Sequence, residues 1–194
     1  MKANKKKRCF IPVIFILLIL TGMSFAAEPV AERPVYAQGD FWVFVNRNKS
    51  KKVKHTFVRE EKDAYVFQLG KSGRERRVYF TSDLKRPPIG YPGPIIAFPL
   101  TVGKKWNYRF QGKYQTVIGL LAKHKVEAYE AVTVPAGTFQ AFKITVRFEK
   151  GGRGYTTPPE NMYFWYAPDV KQLVKRSKAK MAENTWELKK YKIK

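Results

Sequence analysis

The sequence predicts an all-β protein: one strongly curved antiparallel sheet, a half-barrel or open barrel of about 9–11 strands, behind an N-terminal signal helix. Three observations carry this expectation. Apolar residues recur at every second position through most of the chain after Gly39. Turn residues punctuate those runs at short intervals. No segment holds apolar residues at a helical period; Lys171 to Glu183 comes nearest and lacks an apolar stripe.

Residues 1–26 read as an export signal. Lys2, Lys5, Lys6, Lys7 and Arg8 precede an apolar stretch from Phe10 to Leu20, and Ser24 and Ala26 are the small residues a signal peptidase requires before its cut. An uncleaved anchor is the alternative, but Pro12 and the small-residue site favour cleavage near Ala26 and a periplasmic or secreted product. Cys9 is the single cysteine and precedes the apolar stretch, so it leaves with the signal instead of anchoring a lipid. The mature part then has no thiol for a disulfide, a metal or a nucleophile. About 168 residues remain, one domain's worth of chain: a lead segment over 27–38, holding Pro29 and Pro34 and expected to be loosely ordered, and a single antiparallel β domain over 39–194.

Within that domain Trp106, Tyr108 and Phe110 alternate with Lys105, Asn107, Arg109 and Gln111. Phe142, Ile144, Val146 and Phe148 alternate with Ala141, Lys143, Thr145 and Arg147. Tyr65, Phe67 and Leu69 share one parity, as do Met162, Phe164 and Tyr166. Such alternation puts rings on one face of a sheet and cations on the other. Val134-Pro135-Ala136-Gly137-Thr138 reads as a type I turn with a bulge, Gly137 taking the left-handed position. Ala167-Pro168-Asp169, Lys71-Ser72-Gly73 and Gln111-Gly112-Lys113 read as further reversals. Two longer connections, Ser82 to Pro99 and Lys150 to Pro159, are too rich in Pro and Gly for central strands and read as edge covers or functional loops. Gly39-Asp40-Phe41-Trp42-Val43-Phe44 and Gly103-Lys104-Lys105-Trp106-Asn107-Tyr108 share one pattern, each opening a strand, and suggest two half-sheets.

Four segments in order carry a resemblance: Gly39-Asp40-Phe41-Trp42; Phe98-Pro99-Leu100-Thr101-Val102-Gly103-Lys104-Lys105-Trp106; Val134-Pro135-Ala136-Gly137-Thr138-Phe139; and Phe164-Trp165-Tyr166-Ala167-Pro168-Asp169-Val170. From Gly39 to Ser177 the chain resembles a family of exported bacterial β-domains of unassigned function, marked by a V-P-A-G-T-F hairpin and a W-Y-A-P turn. The resemblance implies a curved sheet similar to the half-barrel of periplasmic lipoprotein carriers of the LolA and LppX kind. It supplies no catalytic residues.

Searching for chemistry leaves little. His55 shares parity with Val53 and Phe57 and reads as a core or edge histidine. His124, between Lys123 and Lys125, reads as lying near a turn where positive charge opposes protonation. No zinc spacing occurs, and no metal or cofactor site is read. Glu60, Glu61 and Asp63 form the densest acidic cluster but lack calcium-loop spacing, and Glu127 and Glu130 fall on opposite faces of a strand by parity. Ser50, Ser72, Ser82 and Ser177 sit in no nucleophile motif, and Gly151-Gly152-Arg153-Gly154 precedes no phosphate-binding helix. The chain reads as non-catalytic.

What stands out is charge with aromatics. Net charge is +23 at pH 7 and about +18 without the signal, beyond the magnitude of ~2–8 usual for a small domain. Such a field steers anionic partners, which outside the cytoplasm are anionic lipid, lipopolysaccharide and acidic glycan. Nucleic acid is disfavoured, since no RNA-binding aromatic motif occurs. Arg47, Lys51, Lys52, Arg76, Arg77, Lys175, Arg176 and Lys178 are the candidate anion-binding residues. Trp42, Trp106, Tyr108, Phe110, Phe142, Phe148, Trp165 and Trp186 are candidate rings for lining a ligand-binding hollow. The leading expectation is a non-catalytic envelope module that binds an anionic amphiphile or acidic polymer. The alternative is a structural or assembly protein docking on a protein partner at a sheet edge, and a third reading is a glycan hydrolase built from those carboxylates.

Overall fold

A computed structural model describes residues 27–48, 51–61, 64–70, 74–79, 96–109, 121–149, 160–179 and 185–194. The signal segment, the reversals at 71–73 and 111–113, the greater part of the 82–99 connection, the 150–159 loop and Phe110 lie outside the described residues.

Ten strands form one antiparallel sheet: β1 (Phe41–Asn46), β2 (Lys52–Glu61), β3 (Ala64–Leu69), β4 (Arg74–Tyr79), β5 (Lys105–Arg109), β6 (Leu121–Val134), β7 (Gly137–Glu149), β8 (Met162–Ala167), β9 (Gln172–Lys178) and β10 (Trp186–Lys192). Their order across the sheet is β4-β3-β2-β1-β10-β9-β8-β7-β6-β5. Consecutive strands are therefore adjacent in the sheet, except β4 and β5, which stand at its two ends, and near the middle β1 pairs with β10. The sheet is open, with β4 and β5 as the outermost described strands. The two copies of the glycine–tryptophan pattern open β1 at the centre and β5 at the edge of this one sheet, which corrects the expectation of two half-sheets.

The sheet curls. β6 and β7 run 14 and 13 residues, and the turn joining them folds back until the Ala136 N–H donates to the Leu188 carbonyl at 3.0 Å, although β7 stands three places from β10 in strand order. Gly137 takes φ 135° there, a conformation that residues with a Cβ rarely adopt, as the turn chemistry anticipates. Between β8 and β9 the expected reversal is a short 3-10 turn, Pro168–Val170, closed by Lys171 at φ 57°.

The inner face carries the core. Trp42, Phe57, Tyr65, Phe67, Phe142, Ile144, Phe164, Tyr166 and Leu188 are buried in one cluster. The lead segment belongs to it, contrary to the expectation of loose order. Ala31 pairs with Leu100 through two backbone hydrogen bonds of 2.9 and 2.8 Å. Tyr36 sets its ring edge-on to Trp42 at 5.4 Å and to Tyr65 at 4.7 Å, and packs on Phe57 at 5.2 Å. Its hydroxyl donates to the Lys171 carbonyl at 2.6 Å. Among the described residues the inner face is covered by the chain's own rings. Buried aromatic packing of this kind is a large part of what holds a small domain together, each ring covering about 150–250 Å².

Candidate functional site

The outer face is built by register. Lys105 on β5 faces Lys125 on β6, which faces Thr145 on β7, which faces Tyr163 on β8. One row along, Asn107 faces Lys123, which faces Arg147. Neighbouring strands lie about 4.8 Å apart and same-face residues about 6.8 Å apart along a strand. Lys105, Lys123, Lys125 and Arg147 therefore crowd one patch of three strands, all exposed and all with the parity opposite to the core residues Val126 and Val146. A cavity of about 410 Å³ opens among them, lined also by Glu127, Thr145, Trp106 and His124. Lys123 is paired with Glu149 at 2.7 Å. Among the described residues Lys105, Lys125 and Arg147 have no carboxylate partner.

Behind this patch, on the inner side, the Trp106 indole stacks on the His124 imidazole, centroids 4.9 Å apart and planes 12° from parallel. His124 is 3% exposed and lies within β6, not near a turn. Burial pushes its pKa down to about 4, outweighing nearby carbonyls of Ala122 and Trp106 that favour the protonated ring. Its lysine neighbours in sequence have the opposite parity. Among the described residues the buried side-chain polar atoms lacking a hydrogen bond are His124 Nδ1 and Thr145 Oγ1.

Further along the same outer face, Trp165 donates its indole N–H to Glu130 Oε1 at 2.8 Å. Lys143 Nζ and Lys175 Nζ lie 5.8 and 5.2 Å from its ring centre. Those ammonium groups approach Glu130 at 3.9 Å and Glu187 at 3.8 Å, respectively. The register shift between Val126 and Ala128 inserts Glu127 into β6 as an extra residue and resets the parity after it. Glu127 lines the cavity beside Lys125, and Glu130 contacts outer-face residues, so the two share a face. That corrects the parity count, which knew nothing of the bulge.

The eight candidate rings are not gathered in one hollow. Trp42 and Phe142 are fully buried in the core, Trp42 donating its N–H to the Val170 carbonyl at 2.8 Å. Trp106 and Phe148 are half-buried against the core. Trp165 stands on the opposite face, because its parity is that of Tyr163 and not of Phe164. Trp186 is half-buried, with the Arg176 guanidinium carbon 5.9 Å from its ring centre. Tyr108 sits in β5 with its side chain outside the described structure, as Phe110 is altogether. Tyr36 packs among the inner-face rings Trp42, Phe57, Tyr65 and Phe67.

The candidate cations are dispersed as well. Arg47 and Lys51 flank the turn into β2, Lys52 is exposed at its start, and Lys178 is exposed at the end of β9. Lys175 faces outward against Glu187, whereas Arg176 faces Trp186 on the inner side. Arg76 and Arg77 pair with Phe67 and Val66 in the β3–β4 ladder, and their side chains lie outside the described structure. The patch of Lys105, Lys123, Lys125 and Arg147 was missed by counting basic runs, because its members come from three strands. Shared outward parity was the available signal.

The acidic cluster resolves into ion pairs. Glu60 accepts from Arg33, which also donates to the Tyr65 hydroxyl at 2.9 Å. Arg59 bridges Glu61 at 2.9 Å and Glu75 at 2.7 Å. Asp63 lies outside the described residues. His55 packs its ring 5.0 Å from Phe44, as its parity suggests. Among the described residues no three His, Cys, Asp or Glu side chains group as metal ligands. Comparison with family models, with curated proteins and with solved structures finds no match to this chain.

Proposed function

We propose that the protein is an exported, non-catalytic binding module of the cell envelope that holds an anionic amphiphile or acidic polymer by its outer face. The observation that carries this is the patch on β5, β6 and β7, where Lys105, Lys125 and Arg147 crowd together with no carboxylate partner among the described residues. Like charges held at such spacings repel one another. A fixed cluster of them is a standing attraction for a polyanion.

The filled inner face bears on which part of the ligand is held. Tyr36 and the core rings occupy the hollow, so the reading gives recognition to headgroup or polymer charge and not to an enclosed acyl chain. Docking of a protein partner at a sheet edge has less behind it. β4 carries Arg74, Arg76 and Arg77 and β5 carries Lys105 and Arg109, and charged residues on outermost strands deter strand addition. Co-sedimentation with phosphatidylcholine vesicles, with and without phosphatidylglycerol, tests the proposal. Binding is expected only with the anionic lipid, falling steeply between low and moderate salt. Equal binding to both vesicles defeats the electrostatic reading.

A further inference from the structure

We propose that the cavity among β5, β6 and β7 is an oxyanion site for a dianionic phosphate monoester, a choice of ligand class that rests on the polyanion-binding reading above. Buried polar atoms in folded proteins nearly always have a partner. Among the described residues Thr145 Oγ1 is one of two that lack one, and Thr145, 3% exposed, lines this cavity directly across from Lys125; the other, His124 Nδ1, belongs to the ring on the inner side.

Charge selects the ligand. The cavity is lined by the cations Lys105, Lys123, Lys125 and Arg147 and by one carboxylate, Glu127. Glu149 neutralises Lys123 from outside. With Glu127 set against one more cation, two positive charges are left for a ligand. A phosphate monoester carries close to two negative charges at pH 7, whereas a carboxylate, a sulfate ester or a phosphodiester carries one. Size agrees: at about 410 Å³ the cavity falls within the ~300–1,000 Å³ of small-molecule sites. Lys125, directly across the ladder from both Lys105 and Thr145, holds the centre. Arg147 brings a planar fork suited to two phosphate oxygens.

The ester could be a free sugar phosphate or a lipid headgroup, and the experiment separates the two. The purified protein is titrated with glucose 1-phosphate and with glucuronate at pH 7.5, following tryptophan fluorescence. Sedimentation is run with phosphatidylcholine vesicles containing either phosphatidic acid, a monoester, or phosphatidylglycerol, a diester. The expected result is one saturable site that prefers the monoester in at least one pair. Preference for glucose 1-phosphate identifies a soluble ligand, and preference for phosphatidic acid a lipid one.

Lys125→Gln and Arg147→Gln should each weaken monoester binding about tenfold. Lys54→Gln, exposed on β2 with the parity opposite to the core residue Phe57, should leave it unchanged. Thr145→Val should weaken it several-fold without lowering the melting temperature, since it removes an unpaired hydroxyl from a buried position. The proposal fails if phosphatidylglycerol matches phosphatidic acid and glucose 1-phosphate does not bind, a result that leaves general anion binding intact. It fails too if Lys54→Gln weakens binding as much as Lys125→Gln. Absence of binding to every anionic probe removes both readings.

Discussion

The Trp42 indole N–H reaches the Val170 carbonyl at 2.8 Å, joining residues 128 apart in sequence. One end of the bond is in β1 at the middle of the sheet, and the other is in the turn between β8 and β9. Both partners are buried, so the bond is made away from competing water. Trp42→Phe should cost about 1–3 kcal/mol by stranding the Val170 carbonyl, and Trp42→Ala about 3–5 kcal/mol through the cavity it opens. Urea denaturation followed by circular dichroism measures both; a Trp42→Phe variant as stable as the wild type would show that the hydrogen bond contributes nothing.

Tyr36 makes a second strut to the same turn through the Lys171 carbonyl. Burial raises the pKa of its phenol well above the usual value, with nearby Tyr166, Tyr65 and Asp40 adding to the effect. Tyr36→Phe should lose about 1 kcal/mol. Tyr36→Ala should do more than destabilise: it empties the space between Trp42, Phe57, Tyr65 and Phe67. Binding of the hydrophobic dye ANS should rise in the alanine variant and stay at the wild-type level in the phenylalanine variant.

Lys171 holds φ 57° to close the 3-10 turn, its N–H donating to the Pro168 carbonyl at 2.9 Å. A side chain in that conformation costs about 1 kcal/mol, which glycine avoids at the expense of a more mobile unfolded chain. Lys171→Gly should therefore raise stability by about 0.5–1 kcal/mol, read as a melting-temperature gain of about 1–4 °C in calorimetry. The backbone carbonyl that receives Tyr36 is unaffected by the change.

Acid should act through His124. Its folded pKa of about 4 lies below the value of about 6.5 expected in the unfolded chain. Between those two values the unfolded chain takes up a proton that the folded one refuses. This contribution to stability is complete above about pH 6.5 and is lost as pH falls towards 4, on the order of 3 kcal/mol in all. His124→Phe keeps a ring against Trp106 and removes the titration. Unfolding free energies of the two proteins should diverge below pH 6.5, the variant losing less; parallel curves would assign the acid sensitivity elsewhere.

The alternation of Phe142, Ile144 and Val146 with Lys143, Thr145 and Arg147 was enough to read both the sheet and its two faces. Period-two burial is a local property, written into each strand. The pairing of β1 with β10 was not readable, because nothing local encodes a partner so far away in sequence. The same reason hid the anion cavity: Lys105, Lys125 and Thr145 become a row only through register across two hairpin pairings. Glu130 was misplaced for a different cause, since one inserted residue inverts every later face assignment. Tyr36 was overlooked because Pro29 and Pro34 made its segment read as a tail, whereas its ring is the one the sheet closes upon.

The central ladder joins the first strand to the last. Each flank of the fabric can be knitted from neighbouring hairpins as the polypeptide emerges, but the midline has no second selvedge until residues 186–192 arrive. Closing so large a loop is slow relative to forming hairpins. Until it closes, the nascent molecule is two unjoined panels, each with an unmated border. While that seam is open each panel offers bare strand edge to other chains, and β10 is the zip fastener that removes the hazard.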